Sequence, residues 1–301
     1  MRVFVTGASG HIGSAVLPEL LAAGHQVTGL ARTDSSAAAV SAAGATALPG
    51  TLDDLDLLRS AAADADGVIH LAFKHEVMRS GDMAGAAGAD QAAVEAMLDA
   101  LAGTDKPFVG TSGTLMLALA NLGRTGTEND FLPGGPRIDT ENLTIAAASR
   151  GVRTSVVRLP PTVHSSLDHH GFVPTLIAMA RANGAAAYVG DGANRWPAGH
   201  TLDVAHLYRL ALESAPAGTR LHAVGDQGVP FREIAETIGR NLGLPTVSVA
   251  AADADERLGF LGGFAQLDNP TSSELTRKLL DWAPTHPGLI EDMDEGHYFR
   301  S

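Results

Sequence analysis

The stretch that most constrains the fold is the opening one, MRVFVTGASGHIGSAVLPELLAAGH, in which an apolar run and an apolar-periodic segment flank a glycine-rich turn. Gly7, Gly10 and Gly13 recur in this turn at every third position. Such a turn needs residues without a Cβ where the chain reverses and where a pyrophosphate approaches the backbone. The free N–H groups at the start of the following helix attract the same negative charge. The opening therefore predicts a strand, a turn and a helix that together bind a dinucleotide.

Short apolar runs recur along the first half of the chain, and helix-compatible segments separate them. Strands that alternate with helices indicate βαβ units and a parallel sheet. Because the runs are apolar almost throughout, helices should cover both faces of that sheet. We therefore predict an α/β protein with a doubly wound parallel sheet of the Rossmann type. The predicted strands are 2–6, 26–31, 45–48, 67–71, 107–112 and 153–159, and the predicted helices are 12–23, 36–43, 52–63, 87–102 and 140–149.

The alternation ends after Leu159, where turn-rich segments and separate helical patterns follow. We predict that residues 1–160 form the dinucleotide-binding domain and that part of 186–215 completes it. Residues 161–301 are predicted to form mainly a smaller C-terminal substrate-binding domain that caps the sheet. The sequence contains no repeat or low-complexity linker, so this cap is not expected to be an independent unit.

The charge of the chain bears on its partners. The formal net charge is −13, from 21 Lys and Arg against 34 Asp and Glu. An acidic protein is poorly suited to nucleic acid or an anionic membrane, so a small-molecule substrate is the expected partner. The chain contains no cysteine, which excludes disulfides, thiolate metal sites and a cysteine nucleophile. With no long apolar run and no signal-peptide pattern, a cytoplasmic location is expected.

The end of the second predicted strand bears on which dinucleotide is bound. An acidic residue there would accept the ribose 2′-hydroxyl and repel a 2′-phosphate. This chain has Ala31 followed by Arg32, with the hydroxyl of Ser35 nearby. A guanidinium can hold a phosphate with two hydrogen bonds, so NADP(H) is favoured over NAD(H). The alternative is that Arg32 is a solvated surface arginine.

The chain resembles the short-chain dehydrogenase/reductase superfamily, in particular its extended, epimerase-like branch. The resemblance rests on TGASGHIG, DGVIHLAF, FVGTSGT, VVRLPPTV and HTLDVAHLYRLAL, which occur in this order over about the first 215 residues. It implies a Rossmann-type domain, with the loops after the fourth, fifth and sixth strands at the nicotinamide end of the cleft. The residues that it assigns to the cofactor are Gly7, Ser9, Gly10, His11, Ile12, Gly13, Arg32, Ser35, Leu52, Leu71, Ala72, Thr111, Pro160 and Val163.

The catalytic signature of that superfamily, Tyr-x-x-x-Lys, is missing here. Arg137 stands at the tyrosine position and Glu141 at the lysine position. The three tyrosines, Tyr188, Tyr208 and Tyr298, all lie elsewhere in the sequence. An arginine is effectively always protonated and cannot act as a general acid in the same way. We expect Arg137 and Glu141 to form a solvent-exposed pair one helical turn apart, and no tyrosine to be the essential acid.

Other side chains of the cleft are candidates for the missing role. Ser112 and Thr114 could hydrogen-bond a carbonyl oxygen, or could only cap the end of a strand. Lys74, or its neighbour His75, could donate a proton or could be a solvated loop residue. His164 follows the sixth strand and is expected to face the nicotinamide, with a purely structural role as the alternative. The predicted catalytic residues are Ser112, Thr114, His164 and Lys74.

The histidine-rich stretches HSSLDHH and NRWPAGH raise the question of a metal. They lack a recognised metal-ligand spacing, and a nicotinamide enzyme needs no metal, so no metal site is predicted. The segment VGDGANRWPAGH instead resembles the substrate-side loop of the extended branch. It supplies the predicted substrate contacts Asn194, Arg195, Trp196 and His200, although Trp196 could equally pack in the core.

The leading hypothesis is an NAD(P)-dependent oxidoreductase that transfers hydride between NADP(H) and a carbonyl, an alcohol or an imine of a small molecule. One alternative is a nucleotide-sugar epimerase or dehydratase, against which the missing tyrosine counts. Another is a non-catalytic NADP(H)-binding sensor or regulator. Either a monomer or a homodimer is compatible with the sequence.

Overall fold

The glycine-rich turn joins a strand at Arg2–Thr6 to a helix at His11–Ala22, as the sequence predicts. The computed structural model describes residues 1–120 and 122–300. Its strands are β1 Arg2–Thr6, β2 Gln26–Ala31, β3 Thr46–Pro49, β4 Gly67–His70, β5 Pro107–Gly113, β6 Arg153–Leu159, β7 Thr162–His164, β8 Ala186–Val189, β9 Arg195–His200, β10 Thr219–His222, β11 Asp226–Pro230 and β12 Thr246–Val249.

The helices of the described residues alternate with these strands through the first half of the chain. They are α1 His11–Ala22, α2 Asp34–Ala42, α3 Leu55–Asp64, α4 His75–Arg79, α5 Met83–Leu101, α6 Leu115–Ala118, α7 Ile138–Ala146, α8 Phe172–Asn183, α9 Thr201–Ser214, α10 Phe231–Leu242, α11 Ala254–Leu258, α12 Glu274–Leu280 and α13 Leu289–Asp294. Short 3-10 turns lie at Ala147–Arg150, Ala251–Asp253, Gly259–Leu261 and Phe264–Gln266.

The central sheet has seven parallel strands in the order β3-β2-β1-β4-β5-β6-β10. This confirms the predicted α/β fold with a doubly wound parallel sheet. The order reverses between β1 and β4, which places the ligand crevice of such folds beyond the carboxyl ends of these two strands. The strand β10 was not predicted, because its sequence TRLH holds a single apolar residue and lies beyond the point where the regular pattern ends.

Three apolar clusters form the core. On one face of the sheet, α1 packs against α9, and Val16, Leu20 and Tyr208 are fully buried between them and the strands. On the other face, α3 packs against α5 over Phe108. The third cluster surrounds Trp196 and lies in the C-terminal part of the chain.

The C-terminal part carries two smaller sheets, with the orders β11-β9-β7 and β12-β8. Strand β7 directly follows β6 and pairs in parallel with β9. This pairing leads the chain from the carboxyl end of β6 into the smaller lobe. Among the described residues, no helix combines the length and apolar character that crossing a membrane requires.

Candidate active site

The structure accounts for each glycine of the first turn in a different way. Gly7 has φ +69°, and a Cβ at this position would lie 2.7 Å from the backbone nitrogen of Ala72 at the end of β4. A Cβ on Gly13 would lie 2.6 Å from the carbonyl oxygen of Ala8. Gly10 is exposed, and a Cβ there would approach the Gly7 carbonyl oxygen only to 3.3 Å. The fold itself therefore requires Gly7 and Gly13, whereas Gly10 keeps the N-terminus of α1 open to the crevice.

This turn fits the pyrophosphate of a dinucleotide. Gly10 is the N-cap of α1, and no side chain caps the helix. The first N–H groups of a helix have no partner within the helix and carry a partial positive charge. Because Gly10 also lacks a side chain, a phosphate can approach these groups closely.

The other predicted cofactor residues occupy different depths around the crevice. Ser9, His11, Ile12, Leu71, Ala72 and Thr111 are exposed or half-buried, whereas Leu52, Pro160 and Val163 are buried. Ser35 is exposed, and its hydroxyl lies 2.9 Å from that of Thr33 in the cap of α2. Most of these residues follow the carboxyl ends of parallel strands, which meet at one edge of the sheet. Their contact with a dinucleotide stays a prediction.

Two ion pairs span the β2 and β3 side of the crevice. The guanidinium of Arg32 binds both carboxylate oxygens of Glu76 on α4, at 2.9 and 3.2 Å. Lys74 Nζ binds both oxygens of Asp53, at 2.6 and 2.7 Å. Lys74 is thus held beside the loop that follows β3, on the opposite side of β1 from β5. The ion pair occupies the ammonium of Lys74, which follows β4, and its catalytic role stays a prediction.

Arg137 directs its charge to the end of β5. It is the N-cap of α7 and has φ +65°, a left-handed conformation that costs a non-glycine residue about 1 kcal/mol or more. Its Nη2 donates to the Thr111 carbonyl oxygen at 3.0 Å, and its Cζ lies 4.1 Å from the centre of the Phe73 ring. A strained backbone that is held by specific contacts is typical of functional sites.

Glu141 does not pair with Arg137, so the expected exposed pair is wrong. Glu141 is buried, and it accepts hydrogen bonds from Arg158 at 3.0 Å and from Arg220 at 2.7 Å. Burial alone raises the pKa of this carboxyl, but the hydrogen bond and charge of Arg158 outweigh burial and hold the pKa below its ordinary value. Glu141 is therefore the anionic partner of Arg158 on β6.

The other predicted catalytic residues are inside the protein. His164 is fully buried, and its Nδ1 lies 2.9 Å from Asp292 Oδ2. The expectation that His164 faces the open cleft is wrong, because the pairing of β7 with β9 turns it into the smaller lobe. Thr114 is also fully buried, beside Asn269. Ser112 is buried at the end of β5, and within the described part of the chain its hydroxyl has no hydrogen-bond partner.

The predicted substrate residues have structural contacts. Trp196 is fully buried and packs edge-on against Phe231 at 4.8 Å between ring centres, so its expected place in a substrate pocket is wrong. Asn194 donates from its amide to two backbone carbonyls, of Ala265 and Leu267. Arg195 forms an exposed ion pair with Asp268.

His200 is buried and lies beside the exposed His286. Its ring stacks on that of His286 at 4.5 Å and an angle of 6°, and it accepts a hydrogen bond from the Leu202 N–H at the start of α9. The ligand atoms of His200, Asp203 and His286 lie within 4.8 Å of one another. Asp203 is already occupied by the Thr285 and His286 backbone N–H groups, and parallel rings do not direct their nitrogens at one ion. The absence of a metal site stays a prediction.

The buried His200 predicts a loss of stability in acid. Burial, helped by the charges of His164 and His286, lowers the pKa of His200 to about 4 from the ordinary 6.5. Below pH 6.5 the unfolded chain binds this proton more strongly than the folded protein does, so the free energy of unfolding should fall by up to about 3 kcal/mol down to pH 4. Urea titrations across this range measure it. The slope with pH should be smaller in the variant His200→Gln, and an equal slope would contradict the assignment.

Sequence reasoning missed two residues at this site. Phe73 comes directly after β4, in HLAF, and its place at the end of a central strand was the available signal. Tyr208 lies on the apolar face of α9, and its hydroxyl is 2.7 Å from that of Thr111. No pattern in the sequence predicted that this hydroxyl would contact Thr111 on β5.

A doubly wound parallel sheet with an open glycine turn at its switch point is typical of the class of proteins that bind a dinucleotide. Residues 3–118 match the profile of the NAD dependent epimerase/dehydratase family. An uncharacterized protein of Schizosaccharomyces pombe is 46% identical over 301 residues, which cover 99% of this chain and all of the relative.

A 2′-dehydrokanamycin reductase of Streptomyces kanamyceticus is 30% identical over 86% of this chain and 72% of its own length. The crystal structure of the dTDP-glucose 4,6-dehydratase DesIV from Streptomyces venezuelae has a TM-score of 0.78, with 20% identity, over 99% of this chain and 96% of that chain. The chain belongs to the NAD-dependent epimerase/dehydratase family, the extended branch of the short-chain dehydrogenase/reductase superfamily. This confirms the resemblance drawn from the sequence.

Proposed function

We propose that this protein is an NADP(H)-dependent oxidoreductase that reduces a carbonyl group of a small molecule or oxidises the corresponding alcohol. The observation that carries the proposal is the guanidinium of Arg137, held beside Thr111 and Phe73 at the position where the family has its catalytic tyrosine. The reductase activity in the name of the Streptomyces relative supports a carbonyl substrate.

The chain has the groups that a bound dinucleotide requires. The open turn at Gly10 and the first N–H groups of α1 would hold the pyrophosphate. Leu71 and Ala72 at the end of β4 and Thr111 at the end of β5 would border the nicotinamide half. When bound, the nicotinamide supplies or accepts a hydride at its C4 atom.

Arg137 would stabilise the negative charge that develops on the substrate oxygen. When a hydride adds to a carbonyl carbon, a carbon–hydrogen bond forms, the π bond of the carbonyl breaks, and its electron pair stays on the oxygen as an alkoxide. A fixed positive charge at that point is stronger in a crevice than in bulk water. Because an arginine keeps its proton, the alkoxide takes its proton from water; the alcohol leaves, and the hydroxide that remains passes to the solvent.

We expect neither Tyr208 nor Tyr298 to supply that proton. Tyr208 is fully buried, and burial raises its pKa well above the ordinary value. Burial likewise raises the pKa of Tyr298. We expect the variant Tyr208→Phe to keep most of its kcat, because the hydroxyl is buried and its hydrogen bond goes to the side chain of Thr111. A fall of kcat by about 100-fold, as a lost general acid would produce, would refute the proposed source of the proton.

The preference for NADP(H) is proposed on the charge of Arg32. This arginine directly follows β2, and Ala31 takes the place of an acidic residue. We expect the variant Arg32→Ala to bind NADPH at least about tenfold more weakly, which corresponds to the 1.5–3 kcal/mol of a charged hydrogen bond. NADH affinity should change little. Fluorescence titration with both nucleotides measures the difference, and equal losses would contradict the assigned preference.

The function itself is tested by the oxidation of NADPH in the presence of a panel of aldehydes and ketones. Absorbance at the reduced nicotinamide band reports turnover, and product alcohol should form in equal amount. Tight binding of NADPH without turnover of any carbonyl would instead favour a dinucleotide sensor. Conversion of a nucleotide sugar without net oxidation would favour the epimerase alternative.

A further inference from the structure

Arg32 already has an anionic partner within the chain. The carboxylate of Glu76 accepts hydrogen bonds from both terminal nitrogens of the Arg32 guanidinium. A phosphate makes the same two-point contact with an arginine. The hydrogen bond from Arg32 and its positive charge hold the pKa of Glu76 below the ordinary value, so the carboxylate is ionised at neutral pH. The nitrogens that would hold a 2′-phosphate are therefore engaged.

We propose that Glu76 is an internal competitor of the 2′-phosphate and thereby sets how strongly the protein distinguishes NADP(H) from NAD(H). This inference rests on the proposed function, since it concerns the cofactor assigned there. NADP(H) must displace the carboxylate from Arg32, whereas NAD(H) can bind while the pair stays intact. Glu76 reduces the affinity for one cofactor and spares the other.

The exchange is energetically possible. The side chains of Arg32 and Glu76 are 62% and 71% exposed, so water reaches the pair and weakens it. Exposed pairs of this kind contribute little to stability. A phosphate monoester carries more negative charge than a carboxylate and offers three acceptor oxygens. It therefore displaces Glu76, but part of its binding free energy is lost in doing so.

The position of α4 makes this competition local. Glu76 reaches Arg32 from the first turn of α4, and α4 follows the end of β4. Lys74, just before α4, forms the second ion pair, with Asp53 after β3. The segment is thus attached to the loops after both β2 and β3, and only the attachment at Arg32 uses the proposed phosphate ligand. The two ion pairs can be broken separately.

The experiment measures the affinities of the wild type, Glu76→Gln and Asp53→Asn for NADPH, NADH, 2′,5′-ADP and AMP. In Glu76→Gln we expect the affinity for NADPH and for 2′,5′-ADP to rise about two- to fivefold, in line with the small contribution of exposed pairs. NADH and AMP should be unaffected. Asp53→Asn detaches the same segment without freeing Arg32, so its ratio of NADPH to NADH affinity should equal that of the wild type.

Each other outcome overturns the inference. An unchanged ratio in Glu76→Gln would mean that the carboxylate does not compete, and a lower NADPH affinity would mean that it positions Arg32. A matching gain in Asp53→Asn would assign the effect to loosening of the segment. Failure of the cofactor assignment has a different signature: the wild type would then favour NADH, and Arg32→Ala would leave both affinities unchanged.

Discussion

The variant Arg137→Ala should lose about 100- to 1000-fold in kcat while its affinity for NADPH stays unchanged. Removing one donor to a developing oxyanion costs about 2.7–4 kcal/mol of transition-state stabilisation. Arg137 is well placed for this role because its guanidinium is already fixed, by the Thr111 carbonyl and the Phe73 ring, before a substrate arrives. Steady-state kinetics with any carbonyl that the enzyme accepts, beside titration with NADPH, separates the two quantities.

The matched control is Arg137→Lys, which keeps the charge but loses the planar group that stacks on Phe73. We expect this variant to retain more activity than Arg137→Ala. Circular dichroism guards against a folding defect, which is not expected because Arg137 is only half-buried. If Arg137→Ala turned over at the wild-type rate, the stabilising charge would have to come from elsewhere, and the proposed mechanism would be wrong.

Restoring the superfamily's lysine by Glu141→Lys should unfold the protein rather than activate it. The new ammonium would lie among Arg158 and Arg220, and Arg158 is only 2% exposed. Breaking a buried ion pair costs about 3–5 kcal/mol, and the added positive charge increases the loss. We expect little soluble protein, or a urea midpoint well below that of the wild type.

The matched control for this charge reversal is Glu236→Lys. Glu236 pairs with Arg232 on the exposed face of α10, where an ion pair contributes less than about 1 kcal/mol. The urea midpoint of Glu236→Lys should stay near that of the wild type. A stable, folded Glu141→Lys protein would contradict the assignment of Glu141 as the anionic partner of Arg158 and Arg220.

The fold could be predicted because its strands are buried on both sides. The strand β1 reads as an apolar run, and the bounds of β1 and β6 match the predicted ones. The predicted ends of the helices were less accurate than those of the strands. The start of α5 lies at Met83, four residues before the predicted one, because Asp82 caps it by accepting from the Gly85 N–H.

The chemistry of the site was less predictable, because it depends on contacts between distant parts of the chain. Glu141 meets Arg158 and Arg220 from 17 and 79 positions away, and no local pattern announces this arrangement. Local spacing suggested Arg137 as the partner instead. His164 was misplaced for a similar reason, since the strand that buries it pairs with one 36 residues further along.

The three glycines of the first turn should be replaced at different rates as sequences diverge. A descendant of this chain that lost its dinucleotide would still need Gly7 and Gly13, because a Cβ at either position would collide with backbone atoms. A Cβ on Gly10 would come no closer than 3.3 Å to the backbone, a contact that a small shift relieves, so loss of the ligand would permit other residues there. In a relative of unknown activity, the middle glycine therefore reports on dinucleotide binding, and the outer two report only that the turn has kept its shape.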